Sequence, residues 1–188
     1  MARPKEFDRE TALEEAIEAF SNSGYEGTST DALLRAMRIS RQSLYDTFGD
    51  KRRLYLGALQ RYIADSVAEQ IRTLNSVSSP LQGLEAALNA MASRAAPGCL
   101  GISAICEFGR SDPEVAMLTD TAGRTLLSAL ERRIAEAKTA GEISLDVDVR
   151  AAAQFVAATF SGLKVAGRGG ASRETLRDIA RMALRSLK

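Results

Sequence analysis

An all-α chain is predicted by three observations. Apolar residues recur at three- and four-residue spacing in segment after segment; Asp or Ser stands just before several of these segments, where an N-cap belongs; and Gly or Pro closes most of them. No stretch of the 188 residues alternates convincingly as a strand. The pattern gives about nine helices, the first three forming a small N-terminal domain and the rest a larger helical one.

Taken in order, the first helix is expected from Asp8, its N-cap, to Asn22, with Leu13, Ala16, Ile17 and Phe20 on one face and Gly24 as the stop. Arg3 and Lys5 precede it as a short basic arm. A second helix, Ser29 to Met37, turns Leu33, Leu34 and Met37 inward, and the chain breaks at Arg38-Ile39. Ser40 then caps Arg41 to Phe48, its hydroxyl placed to accept from the Ser43 amide. In that helix Leu44 and Phe48 share the apolar face, while Gln42 and Asp46 lie opposite Leu44, flanked by Ser43 and Tyr45. Two short helices around a tight turn, the second with a polar outer face, read as a helix-turn-helix.

Lys51 opens a long helix to Leu74, striped by Leu54, Ala58, Leu59, Tyr62, Ile63, Val67 and Ile71. The polar stretch from Asn75 to Pro80 reads as a loop. Helices follow over Leu81 to Ala95 and Cys99 to Gly109, and from Asp112-Pro113, an N-cap and N1 pair, to about Ala140. The last two run from Val149, capped by Asp148, to Ala166, and from Ser172 through Leu176, Ile179, Ala180, Ala183, Leu184 and Leu187. Domain boundaries are expected at 1–50 and 51–188.

Composition bounds function. The net charge of +1 announces no nucleic-acid partner, yet Arg35 to Arg61 holds seven basic residues against two acids. Such a cluster on a short helical unit suits phosphate contact. Absence of histidine removes Ser-His-Asp and Cys-His catalysis and the usual imidazole zinc sites, so the chain is not expected to be an enzyme and no metal or cofactor is expected. No run of eighteen apolar residues suggests a membrane span, and two cysteines without a disulfide-dense pattern suit the cytoplasm.

The run G-Y-E-G-T-S from Gly24, followed by I-S-R-Q-S-L-Y-D-T-F-G-D-K from Ile39 to Lys51, resembles the N-terminal domain of the TetR family of bacterial transcriptional repressors. Ser40, Leu44, Tyr45, Phe48 and Lys51 fall in register with that family's pattern. Two positions depart from it. Arg38 stands where the family usually has Gly in the turn, and Gln42 where Gly or Pro is frequent. A non-glycine residue held at φ > 0 costs about 1–2 kcal/mol.

On the recognition helix, Gln42 is expected to face a base edge, since an amide pairs bidentately with adenine. Arg41 and Ser43 are expected at bases or phosphates, and Asp46 at a cytosine amine or as a partner of Arg41 or Gln42. The resemblance implies phosphate contacts for Tyr45, Thr28 and Lys51, beside Ser40 at the cap. It also implies double-stranded operator DNA as partner, a homodimer built on the last two helices (Phe155, Leu163, Leu176, Ile179, Ala183, Leu184), and a small-molecule pocket. Residues expected at that pocket are Met91, Cys99, Ile102, Cys106, Phe108, Met117 and Phe155, although residues at such helical spacing are more often plain core. Cys99 and Cys106 are seven residues apart, about 10.5 Å of helix, too far for a disulfide. A P-G-C-L-G run resembles relatives in which a cysteine reacts with electrophiles or oxidants; the alternative is a buried small apolar residue. The function implied is a ligand-responsive repressor, released by a small molecule or cysteine modification. The alternative is a helical ligand-binding or scaffold protein whose DNA reader is impaired at Arg38.

Overall fold

The computed structural model of the chain describes residues 7–93 and 98–188. Among them there is no strand, and the helices are α1 (Arg9–Ser23), α2 (Thr30–Met37), α3 (Arg41–Phe48), α4 (Lys51–Leu74), α5 (Pro80–Ser93), α6 (Leu100–Phe108), α7 (Pro113–Thr139), α8 (Val149–Arg168) and α9 (Arg173–Arg185). The basic arm of Arg3 and Lys5, and the end of the fifth helix expected near Ala95, lie outside the described residues.

Local chemistry explains where most helices start. Asp8 accepts from the Thr11 amide at 2.7 Å, Ser29 from Ala32 at 3.1 Å and Ser40 from Ser43 at 3.0 Å. Asp50 accepts from Arg53 at 2.8 Å, Asp148 from Ala151 at 2.7 Å and Ser172 from Thr175 at 3.1 Å. Each cap satisfies one amide that has no partner within its own helix. Several boundaries differ from the sequence reading by a residue or two. Pro80 is the first residue of α5 rather than the last of the loop, because Ser79 caps the helix through the Gln82 amide and proline suits N1, where no amide is needed. Helix α8 runs on to Arg168, so the break before α9 is shorter than expected.

The chain packs as two compact units. One comprises Met1–Ile63 with Gly98–Thr119, the other Ala64–Pro97 with Asp120–Lys188. These units do not follow a cut at residue 50: the first half of α4, α6 and the start of α7 pack with the N-terminal helices. The core of the first unit includes Phe20, Leu33, Leu44, Leu54, Tyr55, Leu59, Leu100 and Val115. Within it Tyr25, Tyr55 and Phe108 form a ring cluster, with centroids 4.9 Å apart for Tyr25–Tyr55 and 5.6 Å for either ring to Phe108.

In the second unit, Leu84, Leu88, Leu130, Ile134, Val156, Phe160 and Leu187 are central. The Arg133 guanidinium is buried there. It donates to three carbonyls at the end of α4 and in the following loop: Leu74 at 3.0 Å, Val77 at 2.6 Å and Ser79 at 3.3 Å. Glu136 faces its remaining nitrogen at 2.9 Å.

This packing corrects part of the expected subunit interface. Leu163, Leu176 and Ala183 are at most 3% exposed and belong to the chain's own core. The apolar periodicity of α8 and α9 located a buried face, and that face is turned inward. Phe155, 48% exposed, and the half-buried Ile179 and Leu184 keep surface available.

Candidate nucleic-acid interface

Helices α2 and α3 are anchored from beneath and polar above. Leu33 and Leu44 are fully buried, Met37 nearly so, and Phe48 packs against the same cluster. Between the helices the turn is made by Arg38 at φ 53°, ψ 41°, the one non-glycine residue with positive φ among those described. Its amide and that of Ile39 both donate to the Leu34 carbonyl, the latter at 3.2 Å, closing the end of α2. The strain expected of Arg38 is therefore present, and the helix-turn-helix forms in spite of it.

Above the anchors, Arg41, Gln42, Tyr45 and Asp46 are exposed and Ser43 is half-buried. They are linked to one another and to α2. Gln42 Nε2 donates to Asp46 Oδ1 at 2.8 Å, one turn apart. The Arg41 guanidinium meets Asp31 of α2 at 2.6 Å. Ser40 caps the helix and shares a 2.9 Å hydrogen bond with the Ser43 hydroxyl. Lys51, at the start of α4, holds its Nζ 4.2 Å from the Tyr25 ring centroid, a cation–π contact.

Thr28 departs from its expected role. It is 2% exposed, and its hydroxyl donates to the Gly24 carbonyl at 2.5 Å, so it closes the turn between α1 and α2 and presents no group to a phosphate. The basic cluster is also less uniform than the linear count implied. Folding brings Asp31 to Arg41, Asp112 and Glu114 to Arg52, and Glu10 to Arg61. Burial works against the charge on Arg52, and the hydrogen bonds it donates to Asp112 and Glu114, together with their charges, outweigh it, raising its pKa. The same guanidinium, with the Val115 amide, lowers that of Asp112.

The residues expected around a ligand are divided between the two units. In the first, Cys99 is buried, Ile102 and Phe108 are half-buried, and Cys106 and Met117 are exposed. Phe108 is committed to the ring cluster with Tyr25 and Tyr55. In the second, Met91 lies in the core and Phe155 is at the surface. Cys99 precedes α6, its side chain does not cap the helix, and it neighbours the Tyr62 hydroxyl, whose pKa is raised by burial and then by hydrogen bonding to the thiol. A groove of about 470 Å³ between α5 and α9, lined by Glu85, Leu88, Asn89, Arg177, Arg181 and Leu184 among others, includes none of the expected residues.

Glu107 escaped the sequence reading. Its carboxylate accepts from the backbone amides of Tyr25 at 2.8 Å and Glu26 at 3.3 Å. Partners that are backbone amides, 81 and 82 residues distant, leave no side-chain signature to find.

Residues 12–58 match the family model described as bacterial regulatory proteins, tetR family, and residues 81–183 match the tetracyclin repressor-like C-terminal domain. The chain belongs to the TetR family of bacterial transcriptional regulators. It is 34% identical over 184 residues to the uncharacterized HTH-type transcriptional regulator YezE of Bacillus subtilis, covering 95% of each chain. It is 32% identical over 189 residues to the HTH-type transcriptional repressor ComR of Escherichia coli, covering 97% of this chain and 90% of that one. Among solved structures, a cysteine mutant of the TetR family regulator CifR in complex with 26-bp operator DNA superposes with a TM-score of 0.87 at 29% identity, over 99% of this chain and 100% of that one. The reduced form of Escherichia coli NemR shares the fold, with a TM-score of 0.83 at 17% identity over 95% and 96% of the two chains. Among the described residues no helix is long and apolar enough to cross a membrane, and no group of His, Cys, Asp and Glu is arranged to hold a metal ion.

Proposed function

We propose that this TetR-family regulator is a repressor that binds a near-palindromic operator as a homodimer and is released by a small molecule or by modification of Cys99. The observation that carries the DNA-binding part is the exposed row of Arg41, Gln42, Tyr45 and Asp46 on α3, held out by the buried Leu44 beneath it. A rigid apolar floor under a polar helix face is what major-groove readout requires. The operator complex of CifR supports the same use of this fold. Phosphates fall to Tyr45, Lys51 and the half-buried Ser43, bases to Gln42 and Asp46.

One short helix reads too few base pairs to single out an operator, so two copies related by a twofold axis are required. On α8 the exposed residues Ala151, Phe155, Ala158, Gly162 and Val165 follow one another at three- and four-residue steps. This stripe, with Ile179 and Leu184 of α9, is the surface assigned to the partner copy. Release follows from two-state linkage: an effector lowers DNA affinity only by as much as it prefers the non-binding state. Cys99, 7% exposed, reacts in this scheme only when α6 opens locally.

Selection of duplexes from a random pool, followed by a salt titration of the best binder, tests the reading. Expected are a twofold-symmetric site and an affinity that falls steeply with salt. Gln42→Ala should relax base preference, while Lys51→Ala should weaken all duplexes alike. Failure of the intact chain to enrich any duplex would remove the repressor assignment. Release by an oxidant or electrophile that survives Cys99→Ser would remove the cysteine branch alone.

A further inference from the structure

The junction between α6 and the turn that precedes the helix-turn-helix is more elaborate than packing requires. Residues 24–26 leave α1 with two successive amides, Tyr25 and Glu26, pointing at one place, and the Glu107 carboxylate fills it with an oxygen to each, at 2.8 and 3.3 Å. Successive backbone amides in a turn form a concave anion site. Gly24 makes room for the occupant: at φ 73°, a Cβ on it would stand 2.8 Å from Cδ of Glu107. From the other side, the Thr28 hydroxyl holds the Gly24 carbonyl, and Ser29 caps α2 immediately afterwards. A carboxylate from α6 thus fixes where α2 begins.

Tyr25 carries the contact further. Its amide is held by Glu107, while its ring is wedged against Tyr55 and Phe108 and carries the Lys51 ammonium on its face at 4.2 Å. The backbone of one residue therefore answers to α6 and its side chain seats the cation proposed above to meet phosphate. Neighbouring Tyr55 has no competing hold on the carboxylate, for its buried hydroxyl is without a hydrogen-bond partner.

We infer that Glu107 is a positioning residue for DNA binding: its carboxylate, seated on the Tyr25 and Glu26 amides, fixes the ring on which Lys51 rests and the start of the helix-turn-helix, so that DNA affinity is set from α6. The inference rests on the DNA-binding reading, and on Lys51 meeting phosphate. Any event that shifts α6 by a fraction of a turn withdraws the carboxylate from the turn. The motion required is small, because the two hydrogen bonds fail within an ångström or so of lengthening.

The test uses the full chain and a duplex that the unaltered protein has itself selected. Glu107→Ala should weaken that duplex about five- to tenfold, lower the salt slope by about one, and speed hydrogen exchange at the Tyr25 and Glu26 amides while the amides of α8 and α9 stay protected. Glu107→Gln, which keeps one acceptor oxygen, should recover part of both losses. Combined with Lys51→Met, the alanine change should add little, because the two act through one contact. Unchanged affinity in Glu107→Ala would overturn the inference. So would losses that multiply in the double variant, or fast exchange at Tyr25 and Glu26 in the unaltered protein, a measurement that stands even if the alanine variant does not fold. Should the unaltered chain select no duplex, the DNA-binding reading fails, while the exchange data still report on the latch.

Discussion

Replacing Arg38 with glycine isolates the cost of the turn inside the helix-turn-helix. Arg38 sits at φ 53°, ψ 41°, in the left-handed region, which costs an L-residue about 1–2 kcal/mol. Glycine escapes that cost but gives the unfolded chain more freedom, returning about 0.4–1 kcal/mol. The side chain is exposed, so no packing is lost. The net expectation for Arg38→Gly is a gain of about 0.5–1 kcal/mol, or about 1–4 °C in Tm for a chain of this size. Arg38→Ala is the control: alanine keeps the Cβ, hence the strain, and should gain nothing. Urea denaturation of the three proteins side by side measures the difference. An alanine variant as stable as the glycine one would refute the argument, since relief could then not come from the left-handed geometry. Removing an exposed cation beside α3 should meanwhile weaken binding to random duplex, so stability and affinity should move in opposite directions.

Leu44→Ala, which empties a fully buried site beneath α3, should cost about 2–5 kcal/mol in chemical denaturation, and DNA binding should fall with the folded fraction. Tyr55→Phe deletes the one buried side-chain polar atom without a partner among the described residues; stability should hold or rise by about 1 kcal/mol, and a clear loss would mean the hydroxyl is bonded after all. Asp112, paired with Arg52, has a folded pKa below its ordinary 3.8. Its contribution is complete above that ordinary value and is lost as pH falls through the lower folded one. Asp112→Asn should therefore be less stable than the unaltered chain at neutral pH, with the gap closing under acid denaturation.

Local signals made the fold legible. Asp8, Ser40 and Asp148 each announce a helix start by chemistry confined to three residues and cap as read; Ser29 and Ser172, read as first helical residues, are caps too. The boundaries of α3 and α4 follow from the same logic. What periodicity cannot convey is which neighbour covers an apolar face. Leu163, Leu176 and Ala183 face the chain's own core instead of a second copy for that reason, and Cys106 and Met117 point outward. Thr28 was expected at a phosphate through the family resemblance alone; the turn folds its hydroxyl inward. Charge was misjudged along the same line, since Glu10, Asp112 and Glu114 lie outside the basic stretch they neutralise. The role of Glu107 was invisible because its partners are main-chain amides, which every residue but proline possesses.

The buried Arg133 bears on how this chain tolerates change. What it grips between α4 and α5 is carbonyl oxygen alone, from Leu74, Val77 and Ser79, and any amino acid supplies a carbonyl. Most of the side chains at 76–78 can thus drift while the path of the connection stays put, held by one guanidinium at separations of 54 to 59 residues and by Glu142, whose carboxylate accepts from the Ser79 hydroxyl at 3.0 Å and the Leu81 amide at 2.7 Å. A library randomised over those three positions should yield mostly folded members, whereas one randomised at 133 should return arginine, because no other side chain offers a rigid fork of donors wide enough to span the three oxygens.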